Sequence, residues 1–196
     1  MNPLKAAMEV AQWLESQGIR YFFIGGIALQ YWGETRLTRD VDVTILVEPE
    51  QVDAFLQEAF KRFRPRIPNA LEFAKQHRVL LVETEDGVPV DISLGTFGYE
   101  EEAWKHSKEA EFAGFGRLRL ISAEDLIIHK CVAGRPRDAE DVESILVRQK
   151  LQVDFERIRF WLSTFREIVD THDPLIVFET AHQNAQRAMK GGERHG

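Results

Sequence analysis

The stretch Phe23–Val47, FIGGIALQYWGETRLTRDVDVTILV, holds a contradiction. Its second half alternates as a half-buried strand does, yet it carries Asp40 and Asp42 two residues apart. Successive side chains on a strand point to opposite faces. Val41, Val43 and Ile45 therefore share one face, and Asp40, Asp42 and Thr44 share the other. The later run VPVDISL repeats the pattern, with Val90, Ile92 and Leu94 opposed to Asp91 and Ser93. If these two strands are neighbours in one sheet, Asp40, Asp42 and Asp91 converge.

Such convergence needs shared protons or a bound cation. Two like charges about 4 Å apart repel by about 4 kcal/mol at an effective dielectric of about 20. Oxygen-only ligands suit a hard ion such as Mg²⁺, which is usually held by one or two carboxylates plus substrate phosphates. Two such ions roughly 3.5–4 Å apart clamp the attacking and leaving oxygens in phosphoryl chemistry. A D-x-D on its own most often lies on a solvated sheet face. Here Gly25-Gly26 stands upstream, ending one strand and opening a helix, where backbone N–H groups and the helix dipole can hold phosphate. The pair is neither a G-x-G-x-x-G fingerprint nor a Walker loop, which would need a following G-K-[ST].

Outward from this stretch the chain reads as an α/β half and a helical half. Leu4, Met8, Ala11 and Leu14 recur at helical spacing, and Gly18 stops that helix. IRYFFI is a strand, IALQYWG a short helix, and Pro49 opens the helix EQVDAFLQEAFKRF. RVLLVETEDGVPVDISL has the form of a β-hairpin. GRLRLIS is a further strand, after a polar, Glu-rich segment over about 99–112. SAED, from Ser122, is a helix-start box, and helical periodicity runs on through LIIHKCVA, DAEDVESILVRQ, DFERIRFWLSTFREIV and PLIVFETAHQNAQRAM. The expected architecture is α/β (α+β): a mixed sheet of about four or five strands with flanking helices over 1–118, a helical region over 119–190, and a frayed tail over 191–196.

The 196 residues carry a formal net charge of −7, and neither half is basic, so any RNA contact must be local. The dense basic run KRFRPR, Lys61–Arg66, could track an RNA backbone but reads more simply as a solvated helix end. The lone Cys131 fits a reducing compartment and reads as a small apolar filler. No signal peptide or membrane span is visible, so a cytoplasmic location is expected. The six histidines lack zinc-ligand spacing.

IGGIALQYWGETRLTRDVDVTI resembles the signature of the nucleotidyltransferase superfamily, the DNA polymerase β-like fold: h-G-[GS], a short helix, D-h-[DE]-h, and a third carboxylate on a later strand. Within it the G-G-x-A…G…R-x-T-x-D-x-D spacing is most similar to small bacterial AbiEii-type toxins of type IV toxin–antitoxin systems and their relatives. The resemblance implies a transfer of a nucleoside monophosphate, from ATP or another nucleoside triphosphate, to an acceptor hydroxyl. It implies a two-metal Mg²⁺ site, which Mn²⁺ can also fill, on Asp40, Asp42 and Asp91, with Asp91 as general base. It implies a triphosphate cradle at Gly25 and Gly26 and a phosphate contact from Lys130, while Arg36, just before Thr38, could help neutralise the triphosphate or could pair with a local carboxylate or face solvent. In EDLIIHKCVAGRPRDAEDVESIL, Asp138 and Asp141 would brace the loop or position Lys130. Glu83 and Glu85, on the hairpin's first strand, are alternatives to Asp91. The acceptor could be tRNA, a protein or a small molecule, and a toxin would imply a cognate antitoxin. The other reading is a non-catalytic nucleotide- or partner-binding module on the same fold.

Overall fold

The computed structural model describes residues 2–95 and 98–192. The chain divides into two compact units, one of residues 1–28 and 37–121 and one of residues 29–36 and 122–196. The expected frayed tail falls mostly on 193–196, outside the described residues.

The first unit is a mixed sheet with helices. Asn2 caps α1 (Pro3–Ser16), its side-chain oxygen accepting from the Leu4 N–H at 3.0 Å. Gly18, at φ +66°, turns the chain into β1 (Arg20–Phe23). Then come the first turn of α2 (Gly25–Trp32), β2 (Val41–Leu46), a 3₁₀ turn at Pro49–Gln51 and α3 (Val52–Arg62). β3 (Arg64–Pro65), α4 (Ala70–His77), β4 (Val79–Glu83) and β5 (Pro89–Gly95) follow. The unit closes with α5 (Tyr99–His106), β6 (Lys108–Phe112) and β7 (Gly116–Leu120).

Among the described residues the sheet has seven strands in the order β3-β4-β5-β2-β1-β7-β6. The expected five are all present. The two extra strands, β3 and β6, are the sheet's two edges. The segment over 99–112, read as merely polar, is α5 and β6. β2 runs parallel to β5 and antiparallel to β1, while β4 pairs antiparallel with β5.

One face of this sheet is the core. Val41, Val43, Ile45, Leu80, Val82, Val90 and Ile92 bury there with Ala7, Val10 and Leu14 of α1 and Leu56 and Ala59 of α3. The period-2 pattern places Asp42, Leu81, Asp91 and Ser93 on the other face, where burial is partial.

The second unit is helical: α6 (Ala123–Ala133), α7 (Asp138–Arg148), α8 (Phe155–Phe165) and α9 (Pro174–Gly192), with the end of α2. The SAED box caps α6 as its sequence implies: Ser122 Oγ accepts from the Asp125 N–H at 3.0 Å and donates to Asp125 Oδ2 at 2.7 Å. Asp125 is fully buried, and Arg157 of α8 donates to its other oxygen at 2.6 Å. Cys131 is buried and its thiol is pushed well above the usual range by burial, consistent with an inert filler. Among the described residues no helix is long and apolar enough to cross a membrane.

His129 of α6 gives this unit a pH dependence. Burial pushes its imidazole down to about 4; Asp125 partly offsets this and Lys130 adds to it. The unfolded chain takes up this proton near pH 6.5, the folded one only near 4. The contribution is therefore full above pH 6.5 and lost as the pH falls toward 4. Urea denaturation at pH 7 and pH 5 is expected to show a lower midpoint at pH 5, and His129→Gln to make that drop smaller.

Candidate active site

The site is built where β1 ends and β2 and β5 begin. Asp42 and Asp91 are paired residues of parallel strands, so their side chains stand side by side on the same face. The row continues in both directions. On one side the Ile24 N–H donates to the Asp42 carbonyl at 2.9 Å. On the other, Leu81 pairs with Asp91, and the Arg66 N–H donates to the Leu81 carbonyl at 3.1 Å. Arg66, Leu81, Asp91, Asp42 and Ile24 thus form one line across five strand positions.

Gly25 and Gly26 are required by close approach. A Cβ on Gly25 would lie 2.0 Å from Asp42 Oδ2, and the residue has φ +58°, where side chains are strained. The Asp42 carboxylate therefore rests against the N-terminal turn of α2, where helix N–H groups favour negative charge. A Cβ on Gly26 would lie 2.4 Å from Thr38 Oγ1. Thr38 in turn donates to Asp40 Oδ1 at 2.9 Å and lies 3.2 Å from the Asp40 carbonyl. Each glycine thus leaves room for a residue of the D-x-D segment: Asp42 itself, and the threonine that holds Asp40.

Asp91 is held by Arg66, whose guanidinium donates to its Oδ1. Arg66 Nε is buried and has no hydrogen-bond partner. Nothing in the sequence distinguished Arg66 from the rest of KRFRPR. The structure separates that run into pairs: Lys61 with Glu58, Arg62 with Glu9, Arg64 with Glu83, Arg66 with Asp91. Glu83, weighed as a substitute for Asp91, lies 3.2 Å from Arg64. Only register, invisible in the sequence, could have singled out Arg66.

The other sequence-expected residues meet in the helical unit. Lys130 donates to Asp138 Oδ1 at 3.0 Å and to Asp141 Oδ2 at 2.7 Å, and all three are buried. Asp138 Oδ2 accepts from the Arg135 N–H at 2.9 Å, which fixes the loop before α7. Arg36 donates to Asp141 Oδ2 at 2.9 Å. The ammonium of Lys130 is therefore enclosed by two carboxylates, with its side chain 9% exposed.

The donor chemistry on the sheet face suits a hard cation. Among the described residues no three His, Cys, Asp or Glu side chains gather as ligands. Mg²⁺, however, needs only one or two carboxylates when phosphates and water supply the rest. Asp42 and Asp91, in register and with oxygen donors only, provide that pair.

A mixed sheet carrying a Gly-Gly turn against a D-x-D strand, with a further carboxylate in register, is the arrangement that the resemblance to nucleotidyltransferases implied. The chain belongs to the family described as nucleotidyl transferase of unknown function (DUF2204), whose model matches residues 3–172. Comparison with curated proteins gives no match. The crystal structure of an antigenic nucleotidyltransferase-like protein from Paracoccidioides brasiliensis is similar, with TM-score 0.54 and 18% identity, over 84% of this chain and 88% of that one. At that identity the likeness is one of fold. The crystal structure of ANT(2'')-Ia in complex with adenylyl-2''-tobramycin matches with TM-score 0.49 and 18% identity, over 84% of this chain and 94% of that one.

Removing the Lys130 charge would leave two buried carboxylates facing each other. Breaking a buried ion pair from one side costs about 3–5 kcal/mol. Lys130→Met is expected to lower the urea midpoint accordingly, and adding Asp141→Asn to recover part of the loss.

Proposed function

We propose that the protein is a metal-dependent nucleotidyltransferase that moves a nucleoside monophosphate from a nucleoside triphosphate to an acceptor hydroxyl. The observation that carries this reading is the register of Asp42 with Asp91 beside the Gly25–Gly26 turn. The N-terminal turn of α2 offers backbone N–H groups to a triphosphate. Thr38 orients Asp40 at the edge of the site, and Gly25 allows Asp42 to sit against that turn. Mg²⁺ bound by these carboxylates would neutralise phosphate charge and favour loss of pyrophosphate. The acceptor oxygen bonds to the α-phosphorus, the α–β phosphoanhydride bond breaks, and pyrophosphate leaves with the bonding electrons. Asp91 takes the acceptor's proton.

The sequence likeness to AbiEii-type toxins supports a finer proposal, in which the acceptor is an RNA end or a protein side chain and a cognate antitoxin restrains the enzyme. A small-molecule acceptor fits the same geometry. One observation favours a second reading, a binding module without turnover: Asp91, the assigned base, is engaged by Arg66.

The test is transfer of label. The protein is incubated with Mg²⁺ and each α-labelled triphosphate, with tRNA, lysate protein or neither, beside an Asp42→Asn control. Label is expected in one acceptor class with the unaltered protein, reduced at least 100-fold in the variant. Triphosphate binding without transfer to any acceptor would favour the binding module.

A further inference from the structure

Arg66 lies outside every residue set that the sequence motif defines, yet it touches the carboxylate next to Asp42. Its backbone is fixed, because its N–H is bonded to Leu81 across the strand pair. Any change in its contact with Asp91 is therefore a side-chain movement. The pair is within reach of solvent and ligand: the side chains are 26% and 34% exposed. One guanidinium nitrogen is spent on Asp91, while the buried Nε has no partner. A buried donor without an acceptor carries a desolvation cost, and a guanidinium in this state gains from an arrangement that supplies one.

We propose that Arg66 is the resident counter-ion of Asp91 and yields it when a divalent cation binds beside Asp42. Arg66 is thus a positioning residue that sets how readily the site takes metal. The inference rests on the metal-dependent reading above. It follows from charge balance. With Arg66 in place, the Asp42–Asp91 pair carries less net negative charge, and one oxygen of Asp91 is spoken for. A metal that uses Asp91 must displace a charge-assisted hydrogen bond, among the stronger kinds in proteins. Once released, the guanidinium has a planar set of donors that suits a phosphate group, so metal loading would free a cation for the substrate on the same face.

The experiment is an Mn²⁺ titration followed by electron paramagnetic resonance, on the full chain and without nucleotide. Wild type, Arg66→Ala, Arg66→Lys and Asp42→Asn are compared, each also in an Asp91→Asn background. Arg66→Ala is expected to bind Mn²⁺ about tenfold more tightly than wild type, and Arg66→Lys close to wild type. The gain should vanish when Asp91 is Asn. Arg66→Gln replaces the alanine variant if circular dichroism shows that it does not fold. Equal or weaker binding by Arg66→Ala, or a gain that persists without Asp91, overturns the inference. If wild type binds Mn²⁺ and Asp42→Asn does not, the metal reading survives that failure. If neither wild type nor Arg66→Ala binds Mn²⁺, this inference falls; the metal reading falls with it when a repeat with a non-hydrolysable nucleoside triphosphate analogue shows no binding either.

Discussion

The parallel register of β2 and β5 forces two carboxylates into one place. Neighbouring strands lie about 4.8 Å apart, so Asp42 and Asp91, paired residue to residue, cannot separate without breaking the ladder. Two carboxylates at a separation of that order repel by about 3 kcal/mol at an effective dielectric of about 20, before the Arg66 charge on Asp91 is counted. The core holds the register: Val41, Val43, Val90 and Ile92 are fully buried on the opposite face, and a one-residue slip would exchange them with the acids. Apolar burial on one side of the sheet thus maintains electrostatic strain on the other.

The structure answers that strain locally and in different ways. Asp42 rests on the N-terminal turn of α2, where the peptide dipoles present partial positive charge. It can do so only because Gly25 has no Cβ. Asp91 receives a full positive charge from Arg66, the residue that follows the edge strand β3. Asp40 is held by a neutral hydroxyl, that of Thr38, which Gly26 accommodates. The Arg66 contact is a side-chain ion pair, and it can exchange for another cation without moving the backbone.

The central strands and the D-x-D pattern were legible because apolar periodicity records burial, and these strands are buried on one face. β3 and β6 were not legible, for a physical reason. They are the edges, where charged residues discourage pairing with other chains. β6 is KEAEF, with only Ala110 buried, and β3 is two residues long. Neither carries a periodic signal. The Gly-Gly motif was visible, but what each glycine makes room for depends on the three-dimensional return of residues 38–42. Lys130 and its two aspartates could be named through the family resemblance. Their burial could not, since lysine and aspartate are rarely enclosed unless paired. Arg66 was hidden because KRFRPR looks uniform along the chain, and only cross-strand pairing divides it.

That division bears on what the site can hold. A nucleoside triphosphate brings several negative charges to a face that already carries Asp42 and Asp91, on a chain of net charge −7. A preformed basic surface could offset this, but the cations of the basic run are each matched to a carboxylate: Lys61, Arg62, Arg64 and Arg66 to Glu58, Glu9, Glu83 and Asp91. Positive charge for the phosphates therefore arrives with the ligand, is released from an existing pair, or comes from an exposed residue outside the run such as Arg39. A triphosphate carrying its own divalent cation satisfies the first condition, and the Arg66–Asp91 pair is placed to satisfy the second. For the proposed function this means that a triphosphate arriving with its own cation asks less of the protein's charges than a bare one, and that the Arg66–Asp91 pair is where the protein's own contribution would come from.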